Sequence, residues 1–261
     1  MARLDAELVS RGIARSRSRA KEMIESGSVT VNGVVAKKAS SEVNFLDVIS
    51  SSENEVYVGR GALKLEKAFD VFHLSFIGKK CIDIGASTGG FTDFMLKNGA
   101  SRIYAVDVGH GQLAESLISD SRVVNMEGTD IRNVAPEQFG GCADFISVDV
   151  SFISLEKVLT KVSELLKDEA DAIILIKPQF EAGKKNVGKH GIVRSKKIHE
   201  EILRQIDVLC ASAGLYAADY TYSPVKGGSG NIEYLVHLIK IEKNAEIRDF
   251  RQLVEEAFSN L

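Results

Sequence analysis

Three charged residues stand beside apolar segments of the chain, at points where their side chains could reach a substrate. Asp149 comes directly after the apolar run 145–148, Lys177 follows the run 173–176, and Glu233 begins the last alternating stretch. If the two runs are parallel strands and the last stretch is antiparallel to them, all three side chains emerge at the same rim of a sheet. Amines and carboxylates held together there can orient a hydroxyl group, stabilise its alkoxide and take its proton.

Lys64 is a fourth candidate for this chemistry. It lies in a predicted helix before the first strand, and the basic face of that helix also carries Arg60 and Lys67. The residues alone therefore favour a solvated Lys64 over a catalytic one. For Asp149 and Lys177 the competing interpretation is a structural ion pair, because charged groups at buried strand ends need partners.

A glycine turn provides a second chemical signal. The segment 81–93 reads as a strand, a turn containing Gly85, Ser87 and Gly89, and then a helix. Backbone N–H groups at such a turn can approach a ligand, and a plain strand-to-helix turn is the alternative. Because Ser87 replaces the second glycine of Gly-x-Gly-x-x-Gly, the dinucleotide pattern fails.

Acidic residues end or follow three successive strands near this turn. They are Asp83, Asp107 and Asp130, and Asp107 comes 24 residues after Asp83, where a ribose diol would be hydrogen-bonded. Carboxylates match a sulfonium cation and an α-amino group better than they match a pyrophosphate. The three acids therefore favour a cationic nucleoside cofactor over a dinucleotide.

The elements that must position these residues follow from the spacing of apolar runs. The predicted buried strands are Lys80–Ile84, Arg102–Val106, Val123–Met126, Ala143–Val148 and Ala172–Ile176. Continuous apolar strands separated by amphipathic stretches are typical of a parallel sheet covered on both faces, so the predicted class is α/β. The stretches 216–222 and 232–239 are joined by a Gly-rich loop too short for a crossover helix, which predicts that they are antiparallel.

The first 55 residues have a different pattern from the rest of the chain. Leu4 and Leu8 form one apolar stripe, and Ala20, Met23 and Ile24 form another, so two helices are expected. The segment 29–35 centres on Asn-Gly and predicts a tight hairpin. A polar stretch at 50–54 suits a linker, so we divide the chain into domains 1–55 and 56–261.

Charge is distributed unevenly along the 261 residues. The net charge is −3, but the first 40 residues carry +4 and the other 221 carry −7. Such asymmetry suggests a module that binds a polyanion on an acidic body. A second basic segment, 183–199, contains six Lys or Arg residues and no acid; a solvated surface is the alternative for each segment.

Composition excludes several classes of protein. The chain is 44% hydrophobic and 26% charged, and it has no apolar run of about 18 residues, so a membrane span is not expected. Its first residues lack the apolar core of a secretory signal. Cys81, Cys142 and Cys210 lie far apart without a Cys-x-x-Cys pair, which argues against a disulfide framework or a zinc site and favours a cytoplasmic location.

These motifs together resemble the TlyA (hemolysin A-like) family, which joins an S4 RNA-binding domain to an FtsJ-like methyltransferase. The hairpin motif Ser28-Val29-x-Val31-Asn32-Gly33 carries most of the S4 resemblance. The remaining motifs are Tyr57-Val58-x-Arg60-Gly61-x-x-Lys64-Leu65, Asp83-x-Gly85-Ala86-Ser87-Thr88-Gly89-Gly90-Phe91, Asp149-x-Ser151-Phe152-Ile153-Ser154, Lys177-Pro178-Gln179-Phe180-Glu181 and Gly230-Asn231-x-Glu233. Their order and spacing span the whole chain.

The resemblance implies a class I fold, Rossmann-like with seven strands, that binds S-adenosylmethionine without a metal. It implies that Gly85, Ser87 and Gly89 line the methionine portion, that Asp107 binds the ribose and that Asp130 binds the adenine. Asp83, Gly90 and Phe91 belong to the same predicted cofactor site.

The resemblance also implies the reaction, methylation of cytidine 2′-hydroxyls in ribosomal RNA of one or both subunits. Lys64, Asp149, Lys177 and Glu233 match the family's tetrad. We interpret Lys177 as the base or alkoxide stabiliser and Asp149 as the group that orients it, while Lys64 and Glu233 tune charge and position the ribose.

RNA contacts are expected from both basic segments. In the first domain the candidates are Arg3, Arg11, Arg15, Arg17, Arg19 and Lys21. In the segment after Lys177 they are Lys184, Lys185 and Lys189, with Gly183, Gly188 and Gly191 as hinges. His190 and His199 lack metal-ligand spacing and are expected at the surface or on RNA.

Three other functions compete with this interpretation. An S4-bearing pseudouridine synthase would explain Arg3-Leu4-Asp5, but it has no use for the glycine turn and Asp107. A non-enzymatic, hemolysin-like protein would need a span or a basic amphipathic helix with a bulky aromatic face, and the sequence has neither. A ribosome-binding protein with an inactive methyltransferase fold is the third alternative, which an intact tetrad disfavours.

Overall fold

The chain divides into two compact units, Met1–Val56 and Tyr57–Leu261. The computed structural model describes residues 2–11, 13–14, 17–44, 46–51, 57–151, 153–241 and 248–261. Arg15, Phe152 and most of the predicted linker lie outside the described residues. One apolar core lies within the first unit and two lie within the second.

The first unit packs two helices on short antiparallel strands. The helices are α1 (Leu4–Ser10) and α2 (Arg17–Glu25), and the strands are β1 (Ala2–Arg3), β2 (Val29–Val31), β3 (Val34–Val35), β4 (Glu42–Val43) and β5 (Ile49–Ser51). β2 pairs with both β3 and β5, and β1 pairs with β4. Asn32 and Gly33 both have positive φ angles at the β2–β3 turn, as a tight hairpin requires.

The second unit is built on one seven-stranded sheet. Its strands are β6 (Lys80–Ile84), β7 (Arg102–Asp107), β8 (Val123–Glu127), β9 (Ala143–Val148), β10 (Leu166–Ile176), β11 (Tyr216–Tyr222) and β12 (Tyr234–Ile239). Their order is β11-β12-β10-β9-β6-β7-β8, and β12 is antiparallel to both of its neighbours. The predicted mixed sheet with an antiparallel last strand is confirmed.

Helices cover both faces of this sheet. They are α3 (Gly61–Phe72), α4 (Gly90–Lys97), α5 (Glu115–Ile118), α6 (Glu156–Leu165), α7 (Pro178–Glu181), α8 (Lys196–Ser212) and α9 (Phe250–Asn260). Successive residues of one strand belong to different cores: Ile173 and Leu175 pack in the core that includes α3 and α4, whereas Ile174 and Ile176 pack in the core that includes α6 and α8. This two-sided burial is why the central strands are apolar without interruption.

One predicted strand is longer in the structure than its apolar run. β10 begins at Leu166 rather than Ala172, with an irregularity in its pairing to β9 before Asp171. Lys167, Asp168 and Glu169 in this extension are exposed. Their polar side chains hide the extension from a search for apolar runs. The extension lies at the amino end of the strand, so it does not alter the rim where Lys177 emerges.

Candidate functional site

Four charged side chains meet at the rim formed by the carboxyl ends of the parallel strands. Asp149 follows β9, Lys177 follows β10, and Glu233 precedes the antiparallel β12. Lys64, on α3, reaches the same point. We call these four residues the charged cluster. The three strand-end residues converge, as their positions in the sequence predict.

Ion pairs connect the charged cluster in one line. Lys64 Nζ donates a hydrogen bond to Glu233 Oε2 at 2.7 Å and lies 3.7 Å from Asp149 Oδ2. Lys177 Nζ lies 2.6 Å from Asp149 Oδ1, outside the angles of a hydrogen bond, so this contact is a close ion pair. Two ammonium groups therefore alternate with two carboxylates, and the cluster has no net charge.

Burial makes this pairing necessary. Glu233 is 2% exposed, and Lys64 and Lys177 are each 9% exposed, whereas the Asp149 side chain keeps 22% of its surface. Removing one partner of a buried ion pair costs several kcal/mol of stability, because it leaves an unpaired charge at this depth. The interpretation of Lys64 as a solvated lysine, drawn from its helix alone, is wrong. Its helix packs so closely on the sheet that the ammonium is enclosed.

A glycine contact explains how Lys64 gets there. A Cβ atom on Gly90 would lie 3.0 Å from Ala62 N and 3.3 Å from Gly61 Cα. The absence of side chains at Gly61 and Gly90 lets the first turn of α3 approach the first turn of α4. Lys64 follows within one turn.

Two polar residues that the sequence analysis did not select complete the cluster. Ser151 Oγ accepts a hydrogen bond from Lys177 Nζ at 2.8 Å, and Gln179 Nε2 donates to Glu233 Oε1 at 3.3 Å. Both residues stand two positions after a cluster member, Asp149 and Lys177 respectively. That spacing was the available signal, but Ser and Gln are too common in loops for it to single them out.

The glycine turn between β6 and α4 adopts the backbone that its residues favour. Gly85, Ser87 and Gly89 all have positive φ angles. A Cβ atom on Gly85 would lie 2.4 Å from the backbone oxygen of Asp149, so the turn touches the segment that carries the cluster. Ser87 is the one non-glycine of the three, and its backbone N–H donates to Asp107 Oδ2 at 2.8 Å.

A cavity of about 370 Å³ opens beside this turn. Gly85, Asp107, Thr129 and Asp130 line it together with the cations Arg132 and Lys157, and its apolar lining is Ile84, Val106, Val108, Ile131, Val150, Ile153 and Val158. Asp107 also accepts from Gly109 N at 2.7 Å. Asp130 pairs with Arg132 at 2.5 Å, and these hydrogen bonds lower the pKa of its carboxyl group. The cavity therefore holds two acidic and two basic side chains among its apolar lining.

Other members of the predicted cofactor site face the protein interior. Asp83 is fully buried beneath the turn, where it accepts hydrogen bonds from Thr92 Oγ1 at 2.7 Å and Ser147 Oγ at 2.9 Å. Burial raises the pKa of Asp83 to about 6, and the nearby Asp149 adds to the effect. Gly89 is packed so tightly that a Cβ atom would meet Leu113 and Leu117. Gly90 and Phe91 are buried and pack beside α3.

Most of the cations predicted to bind RNA in the first unit have acidic partners. Arg3 and Arg17 both pair with Asp5, at 3.0 and 2.8 Å, and their hydrogen bonds lower the pKa of that carboxyl group. Arg11 pairs with Glu7 at 2.8 Å and also donates to two backbone oxygens of the 44–47 segment. Arg19 and Lys21 pair with acids one turn away, Glu22 and Glu25. Arg11 therefore helps to hold its own unit together.

The three lysines predicted to bind RNA in the second basic segment are exposed. Lys184, Lys185 and Lys189 lie between α7 and α8, and Lys184 lines a second cavity of about 510 Å³. Gln179, Phe180 and Ile153 also line this second cavity, and Ile153 lines the first cavity as well. Residues close in sequence to members of the charged cluster therefore line both cavities. His190 is exposed, but the expectation of a surface position for His199 is wrong, since this residue is fully buried.

Comparisons with known proteins agree with the architecture. A family model described as FtsJ-like methyltransferase matches residues 57–240, and one described as S4 domain matches residues 2–49. None of the described helices is long and apolar enough to cross a membrane.

Relatives resemble nearly the whole chain. The 16S/23S rRNA (cytidine-2′-O)-methyltransferase TlyA of Mycobacterium tuberculosis is 43% identical over 240 residues, which cover 91% of this chain and 89% of that protein. Hemolysin A of Brachyspira hyodysenteriae is 43% identical over 91% of this chain and 99% of its own length. A solved structure of a Streptococcus thermophilus protein, provisionally named a hemolysin, has a TM-score of 0.80 at 40% identity, with 99% of this chain and 96% of that chain covered.

Proposed function

The chain belongs to the FtsJ-like methyltransferases with an S4 domain, the TlyA (hemolysin A-like) family, and from this premise we propose that it methylates ribosomal RNA. The donor is S-adenosylmethionine, and the acceptor is the 2′-hydroxyl of a cytidine in 16S rRNA, 23S rRNA or both. The observation that carries the proposal is the line of ion pairs through Glu233, Lys64, Asp149 and Lys177 beside a cavity lined by two aspartates.

The first cavity suits the nucleoside end of the cofactor. Its volume, about 370 Å³, lies within the range of small-molecule sites. Asp107 would accept hydrogen bonds from a ribose diol, and Asp130 would face the adenine between apolar walls. Gly85, Ser87 and Gly89 belong to the turn that would hold the methionine portion. Asp83, Gly90 and Phe91 would act from behind, by fixing the turn.

The chain does not have to activate the methyl group, because S-adenosylmethionine supplies one that is already activated. The chain must hold the hydroxyl oxygen in line with that group and balance the charge as the proton leaves. Lys177 is the group we assign to the hydroxyl. As an ammonium group it would stabilise the developing alkoxide, and as a neutral amine it would accept the hydroxyl proton while the O–C bond forms and the methyl–sulfur bond breaks.

The rest of the charged cluster serves Lys177 in this mechanism. Asp149 fixes the Lys177 ammonium through the 2.6 Å contact, and Ser151 fixes it from another side. Lys64 and Glu233 pair with each other beside Asp149, where they tune the charge of the site and position the ribose. Because the four groups are neutral together, the site can take up a neutral hydroxyl without drawing in a counter-ion.

The RNA would be held by cations at two places. Lys184, Lys185 and Lys189 stand near the cluster, and Lys21 with Arg3, Arg17 and Arg19 would supply contacts from the S4 domain, with Arg11 and Arg15 assigned to the same surface. Contacts of this kind go to phosphates and follow shape rather than sequence. Ribosomal subunits are the physiological partners in this proposal, and a cytoplasmic location follows from such a substrate.

Transfer of labelled methyl groups tests the proposal directly. Isolated 30S and 50S subunits would be incubated with the chain and S-adenosylmethionine carrying a tritiated methyl group, and the labelled ribose would be mapped. We expect label on a cytidine 2′-oxygen in at least one subunit. Absence of label from both subunits, with cofactor binding established by calorimetry, would contradict the proposed activity and favour a ribosome-binding protein without transfer.

A further inference from the structure

The segment 183–195 between α7 and α8, which we call the basic loop, carries three exposed lysines and is nevertheless held firmly at both ends. The anchors at its near end come from α7. Gln179 Nε2 donates to Glu233 Oε1, and the Glu181 carboxylate accepts from Ser154 Oγ at 2.9 Å and from Leu155 N at 3.0 Å. The chain thus enters the basic loop from residues that already touch the charged cluster.

Asn231 anchors the far end. This side chain is fully buried, its Oδ1 accepts a hydrogen bond from Val193 N at 3.0 Å, and its Nδ2 donates to Gly191 O at 2.8 Å. A backbone N–H can only donate and a carbonyl can only accept, so the orientation of the amide is determined. Both polar atoms of Asn231 are therefore committed to the basic loop.

His199 adds a second anchor at the same end. It is fully buried, with Nε2 3.0 Å from Val193 O and Nδ1 2.8 Å from the Tyr234 hydroxyl. Because Val193 O can only accept, Nε2 carries the proton and Nδ1 accepts from Tyr234. Burial lowers the pKa of His199, in agreement with the neutral ring that this pairing requires.

All these anchors except those of Glu181 end on one short stretch of chain. Asn231, Glu233 and Tyr234 lie within four residues, and Glu233 is the member of the charged cluster that pairs with Lys64. Gly227, on the loop before them, would place a Cβ atom 2.3 Å from Glu233 Oε1, and its N–H donates to Asn231 O at 2.9 Å. The stretch has little room to move independently of the basic loop.

We propose that Asn231 is a positioning residue, which fixes the basic loop relative to Glu233 so that RNA phosphates bound by the loop set the target ribose against the charged cluster. The inference rests on the proposed function and adds a residue that touches neither cofactor nor reacting atoms. Asn231 acts through its two hydrogen bonds, which hold the cationic loop in a fixed position. Ordering the loop beforehand lowers the entropic cost of binding RNA.

Asn231→Ala tests the inference, with Asn186→Ala as the matched control. Asn186 lies in the same loop and is exposed, and among the described residues its side chain bonds only to Ala182 O, four residues away. In Asn231→Ala we expect trypsin to cut after Lys184, Lys185 or Lys189 about tenfold faster, since cleavage requires local opening. We expect kcat/KM for RNA to fall about tenfold and the Kd for S-adenosylmethionine to stay within about twofold. Asn186→Ala is expected to match the unaltered chain in all three measurements.

Tyr234→Phe provides a second, milder variant that keeps the ring and removes only the hydroxyl group opposite His199. We expect the same pattern in it, at about two- to threefold. If both variants fold, the positioning role is overturned when trypsin cuts their basic loop at the control rate and they methylate RNA at the control rate. If the unaltered chain transfers no methyl group at all, the proposed function fails instead, while the trypsin measurement still reports whether Asn231 holds the loop.

Discussion

Lys177 is the residue on which the proposed chemistry depends most. Its ammonium lies between Asp149 and Ser151, and it does not line the first cavity. We therefore expect Lys177→Ala to lower kcat by about 10²–10⁴-fold and to leave cofactor affinity within about twofold. Single-turnover transfer and calorimetry measure the two quantities. Lys167→Ala is the control, because Lys167 lies at the other end of the same strand and pairs with Asp144; an unaltered rate in Lys177→Ala would remove that residue from the mechanism.

Asp83 provides a test at the same scale that depends on pH. Its pKa is about 6 in the folded chain and about 4 when unfolded, so neutral Asp83 stabilises the fold below about pH 4 and this contribution is lost as the pH rises to about 6. An amide in its place does not titrate. We expect the free energy of unfolding of Asp83→Asn, relative to the unaltered chain, to rise by about 2 kcal/mol between those pH values.

Urea unfolding of the second unit at several pH values measures this difference, with Asp168→Asn as an exposed control on the extension of β10. A difference that stays flat with pH would mean that Asp83 has the same pKa in the folded and the unfolded chain. In that case the hydrogen bonds from Thr92 and Ser147 offset the effect of burial on that pKa.

Single residues also mark where sequence patterns stop being informative. Asp149, Lys177 and Glu233 could be brought together from strand ends, because the direction of each strand follows from apolar runs and loop lengths. Lys64 and His199 could not be placed in this way. Their burial depends on close contacts between elements, such as Gly61 against Gly90, that leave no periodic signal.

At the scale of elements, the glycine turn connects the first cavity to the charged cluster. Gly85 has a φ angle of +83°, and a Cβ atom there would lie 2.4 Å from Asp149 O. We expect Gly85→Ala to weaken cofactor binding at least about tenfold and to lower stability by about 2–4 kcal/mol. Calorimetry with S-adenosylmethionine and thermal unfolding measure the two effects.

Gly78→Ala is the matched control for this variant. Gly78 has a similar φ angle of +71°, but nothing lies within 4 Å of the Cβ position. The control therefore carries the cost of the left-handed backbone without the collision. Equal losses in the two variants would show that the contact with Asp149 is unimportant.

The basic loop has a prediction of its own at this scale. Replacing Lys184, Lys185 and Lys189 by Ala removes three exposed cations, so the slope of log K against log salt for RNA binding is expected to decrease by about one per lysine. Filter binding at several salt concentrations measures the slope. Lys97→Ala serves as a control, since Lys97 pairs with Asp93 on α4. A slope equal to that of the unaltered chain would exclude phosphate contacts by the loop.

At the scale of the whole molecule, the two units provide two separate groups of cations. Lys21 belongs to the first unit and Lys185 to the second, and the two units have separate cores. If both units contact RNA, each substitution to Ala weakens binding by about two- to fivefold, and the double variant weakens it by the product of the two factors. Titration of a labelled rRNA fragment checks this. If the double variant binds RNA as tightly as the single variant with the lower affinity, only one unit binds RNA.

The overall architecture was accessible from sequence because the two units follow different periodic patterns. The Asn-Gly hairpin defines the first, and alternating strands and helices define the second. What the patterns did not indicate is the pairing of charges. Asp5, for example, receives both Arg3 and Arg17, so two arginines that read as free cations already share an acid.

The order of strands in the sheet determines which parts of the second unit can form first during synthesis. β12 is the last strand in the chain, yet it lies between β10 and β11. The residues that line the first cavity all occur before residue 160, so that cavity can form while the ribosome is still synthesising the rest of the second unit. Glu233 arrives only with β12. A nascent chain can thus form the first cavity early, whereas its charged cluster is complete only after Glu233 has been added.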